Sequence, residues 1–249
     1  MATARKLPAA FKQQPKFCPG CGHGIVLRLV TECVEELGIE RNFIINAGVG
    51  CAHLMEDCLD YDIFVGSHGG GGASTTGMKR MLPDTIIMSY QGDGDAYVIG
   101  LSQTLNAAYR NENFTVIVIN NAVFGMTGGQ MGWTTMPGQK TTTSPDGRDT
   151  DKTGTPIKVP EIIAQSDNYN TAYVARGTVT TPAHINKTKS YIKKALQYQI
   201  DKKGHSLVEI LSPCPTNWKC TELESLDRVN NEIVPYYPLG EFKDKGGSK

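Results

Sequence analysis

The sequence predicts one α/β domain with a doubly wound, mostly parallel sheet. Segments of helical and strand periodicity alternate along the chain. Two runs, Thr85–Tyr90 and Phe114–Ile119, are apolar at most positions, as expected of strands covered on both faces. Glycine- and asparagine-rich turns follow both runs, and 249 residues are enough to bury a full core around such a sheet.

Gly24 to Leu37 carries apolar residues at helical spacing, and Phe43–Ala47 is a short β-branched strand. Gly69 to Gly72 lead into a helix ending near Leu82. Thr85–Tyr90 is the next strand, and the helix after it presents Val98, Leu101, Leu105 and Ala108 on one face. Phe114–Ile119 is the clearest buried strand. Residues 125–159 are polar and rich in Gly, Thr and Pro; so long a loop in a compact domain is either functional or a disordered insertion. Thr181-Pro182 supplies an N-cap and first turn to a helix with Ile185, Ile192 and Leu196 on one side. Its lysines, Lys187, Lys189, Lys193 and Lys194, read as a solvated face. Ser206–Leu211 is the last core strand. Residues 1–218 thus form the domain, with an N-terminal cysteine segment. Residues 219–249 lack periodicity and read as a C-terminal arm that contacts a partner.

Lys+Arg and Asp+Glu number 25 each, a balance that argues against a nucleic-acid-binding surface. No apolar stretch approaches the ~20 residues of a membrane span. Met1 to Lys16 is basic without an apolar core, so no secretory signal is expected and the chain reads as cytoplasmic. Seven cysteines in a reducing compartment make a poor disulfide framework and point to metal ligation.

Two turns carry the chemistry. Gly92-Asp93-Gly94 follows one predicted strand, Asn120-Asn121 ends the next, and 25 residues between Gly94 and Asn120 allow one helical crossover. Adjacent parallel strands then deliver a carboxylate and an amide oxygen to the same carboxyl edge of the sheet, where such folds bind ligands. Hard oxygen donors together with diphosphate oxygens suit an octahedral Mg²⁺. Glycines beside Asp93 allow close approach of a diphosphate, and a helix beginning near Asp95 turns amide donors toward it.

The cysteines form a second constellation. Cys18-Pro-Gly-Cys21, Gly48-Val-Gly-Cys51 and Ser212-Pro-Cys214-Pro-Thr216 each lie in a Gly/Pro-rich turn. Four thiolates suit a 4Fe–4S cluster, and by spacing alone they also suit one tetrahedral zinc. Cys220 is an alternative fourth ligand without the turn context. Cys33 and Cys58 read as small packing residues. His23 and His53 are either donors to cluster sulfurs or local turn partners.

Gly-Asp-Gly and Asn-Asn at this spacing resemble the signature of thiamine diphosphate enzymes. The resemblance implies that Asp93, the Asn121 side chain and the Val123 carbonyl hold Mg²⁺, with Gly92, Gly94 and Asp95 against the cofactor. Phe124-Gly-Met-Thr-Gly-Gly-Gln130 is similar to the Thr-Gly-Gly-Gln loop of 2-oxoacid:ferredoxin oxidoreductases, which places Thr127, Gly128 and Gln130 close to the cofactor. Gly138 to Thr143 with Gly147-Arg148-Asp149 resembles the branch acting on branched-chain 2-oxoacids or 2-oxoglutarate. Ser67-His68-Gly69-Gly70 aligns with a His-Gly-Arg stretch; His68 is a cofactor neighbour or a helix cap, and Gly70 stands where the arginine is expected. Cys-Pro-Gly-Cys-Gly-His, Gly-x-Gly-Cys and Ser-Pro-Cys-Pro-Thr resemble the cluster-ligand segments, carried by Cys18, Cys21, Cys51 and Cys214.

The implied activity is thiamine-dependent oxidative decarboxylation of a 2-oxoacid, with the acyl group passed to coenzyme A and electrons through the cluster to ferredoxin. No glutamate lies in a motif suited to activating the pyrimidine ring. The resemblance places that glutamate on a separate pyrimidine-domain (alpha) subunit, with gamma and ferredoxin-like delta subunits as further partners. A thiamine-dependent decarboxylase or synthase without electron transfer and a non-catalytic metal-binding subunit are the alternative readings.

Overall fold

The structure, a computed structural model, describes residues 7–165 and 167–246, so the outermost residues of both expected segments lie outside the described ones. The chain runs α1 (Gly22–Leu37), β1 (Phe43–Ala47), β2 (Asp62–Val65), α2 (Gly71–Met81), β3 (Ile86–Gly92), α3 (Leu101–Tyr109) and β4 (Thr115–Asn120). It continues through the one-turn α4 (Thr150–Thr153), α5 (Val159–Gln165), β5 (Tyr173–Thr178), α6 (Pro182–Ile200) and β6 (Ser206–Leu211). The last elements are α7 (Pro215–Trp218), α8 (Glu222–Arg228), α9 (Val234–Tyr236) and β7 (Gly240–Asp244).

The seven strands order as β2-β1-β3-β4-β6-β5-β7, all parallel except β7, which runs antiparallel to β5. The continuous apolar runs explain the centre of the sheet: β4 and β6 are buried at every residue. Helices α1 and α6 cover one face, where Val26, Val30, Ile192 and Leu196 pack on Ile45, Ile117 and Val208. On the other, α3 and α5 place Ala107, Ala108 and Ile163 on Val116, Val118 and Leu207. No described helix is long and apolar enough to cross a membrane. After β1 the chain moves to one side of the sheet, to β2; after β3 it moves to the other, to β4. The switch between β1 and β3 opens a crevice at their carboxyl ends.

Local signals account for the helix ends. Gly38 adopts the left-handed conformation at φ 66° and closes α1 by bonding to the Glu35 carbonyl. Thr181 caps α6 by accepting the His184 N–H at 3.2 Å, with Pro182 in the first turn.

One expectation is corrected. The α6 lysines are not merely solvated: Lys189 pairs with Glu32 and Glu36, Lys193 with Glu36, and Lys194 with Glu241 and Asp244. They tie α6 to α1 and to β7, partners that sequence spacing within α6 cannot reveal. Residues 125–159, read as a functional loop or a disordered insertion, follow a defined path in which buried Arg148 donates to the carbonyls of Trp133 and Gly154, at 3.0 and 2.9 Å, and to that of Thr135. The C-terminal segment, read as an arm that contacts a partner, also packs on its own domain: Val229, Ile233 and Tyr237 form a buried cluster with Met136 and Leu211, and β7 extends the sheet. Its short elements are too brief to show a period.

The helices α2 and α3 approach closely at Gly72, where a Cβ would stand 2.6 Å from the Gln103 carbonyl oxygen. Backbone rather than a flexible side chain is in the way, so one helix must shift. Gly72→Ala is expected to cost roughly 1–3 kcal/mol, the range of overpacking changes, seen as a lower urea midpoint at unchanged slope. An unchanged midpoint would show that the two helices slide freely.

Candidate functional site

Three adjacent parallel strands end at one edge. Gly48 to Cys51 leave β1, Asp93 and Gly94 leave β3, and Asn121 to Val123 leave β4. The register that sets Ala47 beside Tyr90 and Gly92 beside Ile119 brings these turns level. They surround a cavity of about 160 Å³ lined by His68, Gly92, Asp93, Gly94, Asp95, Asn121, Val123 and Thr127, among others. Eight of the residues singled out from sequence thus meet at one place.

Asp93 is 2% exposed, and burial pushes its carboxyl up to about 7, against hydrogen bonds from the Thr134 hydroxyl and the Asn121 N–H. A carboxylate so buried is costly when ionised, and a cation beside it would offset that cost. Asp95 is equally buried and accepts from Gln91 Nε2 at 2.6 Å, from the Gly69 N–H at 2.7 Å and from His68 Nδ1. His68 therefore belongs to the cavity wall, edge-on to Phe124, and does not cap α2. Close approach dictates the glycines here. A Cβ on Gly48 would stand 2.4 Å from Asp95 Oδ2, and one on Gly94 the same distance from the Phe124 ring. A Cβ on Gly92 would meet nothing within 4 Å, which leaves room beside Asp93 for a ligand.

Between Asn121 and Val123, Ala122 takes the left-handed conformation at φ 59° without being glycine. Such a backbone costs on the order of 1–3 kcal/mol and persists only when its surroundings hold it. Its N–H donates to Asn120 Oδ1 at 3.1 Å, and its carbonyl accepts from Thr135 Oγ1 and Gln139 Nε2 at 2.7 and 3.1 Å. The 125–159 loop therefore works as a clamp on this turn.

The four cysteines of the three turns converge. Cys18, Cys21, Cys51 and Cys214 line a second cavity of about 330 Å³, with Phe17, Asn121 and Asn217 among its other walls. Burial, with a smaller contribution from the neighbouring cysteines, pushes the Cys21 thiol up to about 12 and the Cys51 thiol to about 11. Asn217 Nδ2 donates to Cys214 Sγ at 3.3 Å. Among the described residues no three of His, Cys, Asp and Glu converge closely enough to hold a single ion. The four cysteines instead share the wall of a space roughly ten times one water's share of liquid volume. Cys220 lies apart, in an open cleft with Pro19, Lys219 and Glu222. Cys33 and Cys58 are buried, their thiols toward the carbonyls of Lys189 and Met55.

Not every residue read from sequence reaches the first cavity. Gly128 faces the cysteine cavity, while Gln130 lines neither and bonds to Thr127 through both its amide atoms. Gly70 precedes α2, and a Cβ there would stand 2.5 Å from Ser67 Oγ. His53 and His23 do line the first cavity. His53 is a local turn partner of the Gly50 carbonyl at 2.7 Å. His23, 2% exposed, stacks on Phe17 and meets the Tyr90 hydroxyl at 3.0 Å; burial lowers it to about 4, so it is neutral. Sequence reasoning missed Thr134 and Gln91, which orient Asp93 and Asp95. Neither lies in a motif, and only the folded loop brings Thr134 to Asp93.

This edge defines a diphosphate-cofactor domain, and comparison specifies the cofactor. The thiamine pyrophosphate enzyme family, C-terminal TPP binding domain, matches residues 48–210. The chain belongs to the thiamine pyrophosphate-binding subunits of the 2-oxoacid oxidoreductases. It is 39% identical over 234 residues to ketoisovalerate oxidoreductase subunit VorA of Methanothermobacter thermautotrophicus, covering 92% of this chain and 48% of that one. It is 36% identical to 2-oxoglutarate synthase subunit KorB of Archaeoglobus fulgidus, covering 91% and 84% of the two chains. The chain thus spans about half the length of the first of these relatives and most of the second. The solved 2-oxoglutarate:ferredoxin oxidoreductase of Magnetococcus marinus shares the fold, at a TM-score of 0.77 and 23% identity over 96% of this chain and 84% of that one.

Proposed function

We propose that the chain is the cofactor-binding subunit of a 2-oxoacid:ferredoxin oxidoreductase acting on a branched-chain 2-oxoacid or 2-oxoglutarate. The observation that carries the proposal is a shared wall: His23, Cys51, Asn121, Gly125 and Met126 line both the cofactor cavity and the cysteine cavity. A site for carbon chemistry adjoining a site for a redox cluster is what an oxidative, rather than a simple, decarboxylase requires.

Asp93, the Asn121 side chain and the Val123 carbonyl are the residues to hold Mg²⁺, and Gly92 and Gly94 leave room for the diphosphate. Cys18, Cys21, Cys51 and Cys214 are the ligands for a 4Fe–4S cluster. When bound, thiamine diphosphate supplies an electron sink for cleavage beside the ketone, and the cluster accepts electrons singly. The chain's own residues bind and orient. Asp95 fixes His68 against the cavity, Thr127 stands at its rim, and neutral His23 with Tyr90 fills the space between the two sites. Among the described residues no glutamate lines the cofactor cavity, whose ionisable side chains are aspartates, histidines and a cysteine, the aspartates being used for the cation and for His68. The carboxylate that activates the pyrimidine ring is therefore assigned to a partner subunit, with gamma and ferredoxin-like delta subunits completing the complex.

The test is to purify the chain with its partners and to measure iron, acid-labile sulfide and thiamine diphosphate on one sample. Coenzyme A-dependent reduction of a viologen dye is then followed across a panel of 2-oxoacids. All three components, and dye reduction with a branched-chain 2-oxoacid or 2-oxoglutarate, are expected. Oxoacid consumption without dye reduction would make the protein a non-oxidative decarboxylase. Oxidation by the isolated, pure chain would defeat the assignment of the glutamate to a partner.

A further inference from the structure

Outside the cavity lining, a chain of buried polar groups runs from α5 to the turn that carries Asn121 and Val123. Glu161 accepts from both terminal nitrogens of Arg176, each at 2.7 Å. The Arg176 Nε donates to Glu209, and both of these side chains are fully buried. Glu209 Oε1 accepts from Asn120 Nδ2 at 3.1 Å, and Asn120 Oδ1 accepts the N–H of Ala122 at 3.1 Å. A second branch leaves the same guanidinium, which lies 5.1 Å from the Tyr237 ring. The Tyr237 hydroxyl donates to the Thr134 carbonyl at 3.2 Å, and the Thr134 hydroxyl donates to Asp93.

We propose that Arg176 and Glu209 are positioning residues for the metal–diphosphate turn. The pair holds Asn120, Asn120 holds Ala122 in its left-handed conformation, and that conformation aims Asn121 and Val123 toward the cation. The inference rests on the reading of this edge as the thiamine diphosphate and Mg²⁺ site. Packing alone does not explain the pair, because apolar side chains of similar volume commonly replace a buried ion pair without loss of stability. A hydrogen-bonded ion pair adds direction: the Arg176 fork, held by Glu161, fixes one oxygen of Glu209 and so the rotamer of Asn120. A strained, non-glycine turn flanked by two candidate ligands is where such direction matters.

The test uses the full chain purified with its partners, and reads Mg²⁺-dependent thiamine diphosphate affinity by calorimetry and the thermal midpoint of the cofactor-free protein. Glu209→Gln is expected to lower the affinity about tenfold or more, as loss of groups that orient metal ligands does. In an Ala122→Gly background the same change should cost less than about threefold, because glycine adopts the left-handed turn unaided. Equal losses in both backgrounds would reduce the pair to a packing role and overturn the proposal. Should Glu209→Gln not fold, the paired change Arg176→Met with Glu209→Leu removes both charges together. Weaker cofactor binding at an unchanged thermal midpoint then supports the inference, and unchanged binding overturns it. Asp93→Ala separates the two levels. If it binds cofactor normally, the reading of the edge fails; if it loses cofactor while Glu209→Gln does not, the positioning inference alone fails.

Discussion

Asp93→Ala is expected to strip the protein of Mg²⁺ and thiamine diphosphate while leaving it folded. Asp93 is the one charged side chain among the three ligands assigned to the cation, and it stands beside the space left open at Gly92. Loss of an orienting neighbour already lowers metal affinity 10–100-fold, so loss of the ligand itself should lower it by roughly a hundredfold or more. Equilibrium dialysis with magnesium and thiamine diphosphate reads this directly, and full retention of cofactor would defeat the assignment. The fold should persist because the carboxylate does not stabilise the cofactor-free chain. Burial raises it from 3.8 to about 7, so the folded state holds the proton more tightly than the unfolded one. Its contribution to stability is therefore full below the unfolded value, falls as pH rises toward about 7, and stays lost above that. At pH 8 the cofactor-free variant should unfold at a temperature no lower than the parent, apart from the partner lost to Thr134. A variant that unfolds much earlier would show that Asp93 has a structural role.

Serine at Cys18, Cys21, Cys51 or Cys214 is expected to cut iron content sharply and to abolish oxoacid-dependent dye reduction. A cluster ligand must be a thiolate, and a serine hydroxyl does not ionise at neutral pH to take its place. Cys21 and Cys51 are protonated in the cofactor-free chain: burial, with a smaller contribution from neighbouring cysteines, raises Cys21 to about 12 and Cys51 to about 11, and burial raises Cys214 as well. Iron must displace those protons, so cluster assembly should release acid. Cys51 is the most sensitive position, because it also lines the cofactor cavity; its serine variant should lose electron transfer even where some iron is retained. Serine at Cys33 or Cys58 should leave iron and dye reduction near normal, since those side chains line neither cavity and pack in the α1 core and the turn after β1. An iron-replete Cys214→Ser protein beside an iron-poor Cys220→Ser protein would move the fourth ligand to Cys220, against the geometry.

The readable part of this protein is the part written in local spacing. Phe114–Ile119 announces a covered strand because it is apolar at all but one position, and β4 occupies nearly that span. Thr181-Pro182 announces a helix start because the cap and the fixed proline φ act within one turn. Gly92-Asp93-Gly94 and Asn121 could be placed at one edge because parallel strands with one crossover leave no other arrangement. The edge strand β2 and the sheet-closing β7 passed unread, the first for lack of alternation over four partly exposed residues, the second because its Glu, Lys and Asp mask a five-residue strand. Strand β5 escaped because it carries Arg176 into the core, a charge acceptable there only with Glu209 and Glu161 beside it.

By itself, then, the sequence determined the fold class, the glycine-flanked aspartate, the amide pair and the cysteine turns, since each depends on neighbours a few residues away. Only the tertiary structure decided which cysteines share a cavity, how Thr134 reaches Asp93, and how the C-terminal segment returns to the sheet. Those contacts join residues tens of positions apart, and no periodicity records them, because the energy that selects them arises only when the separate elements have already packed together.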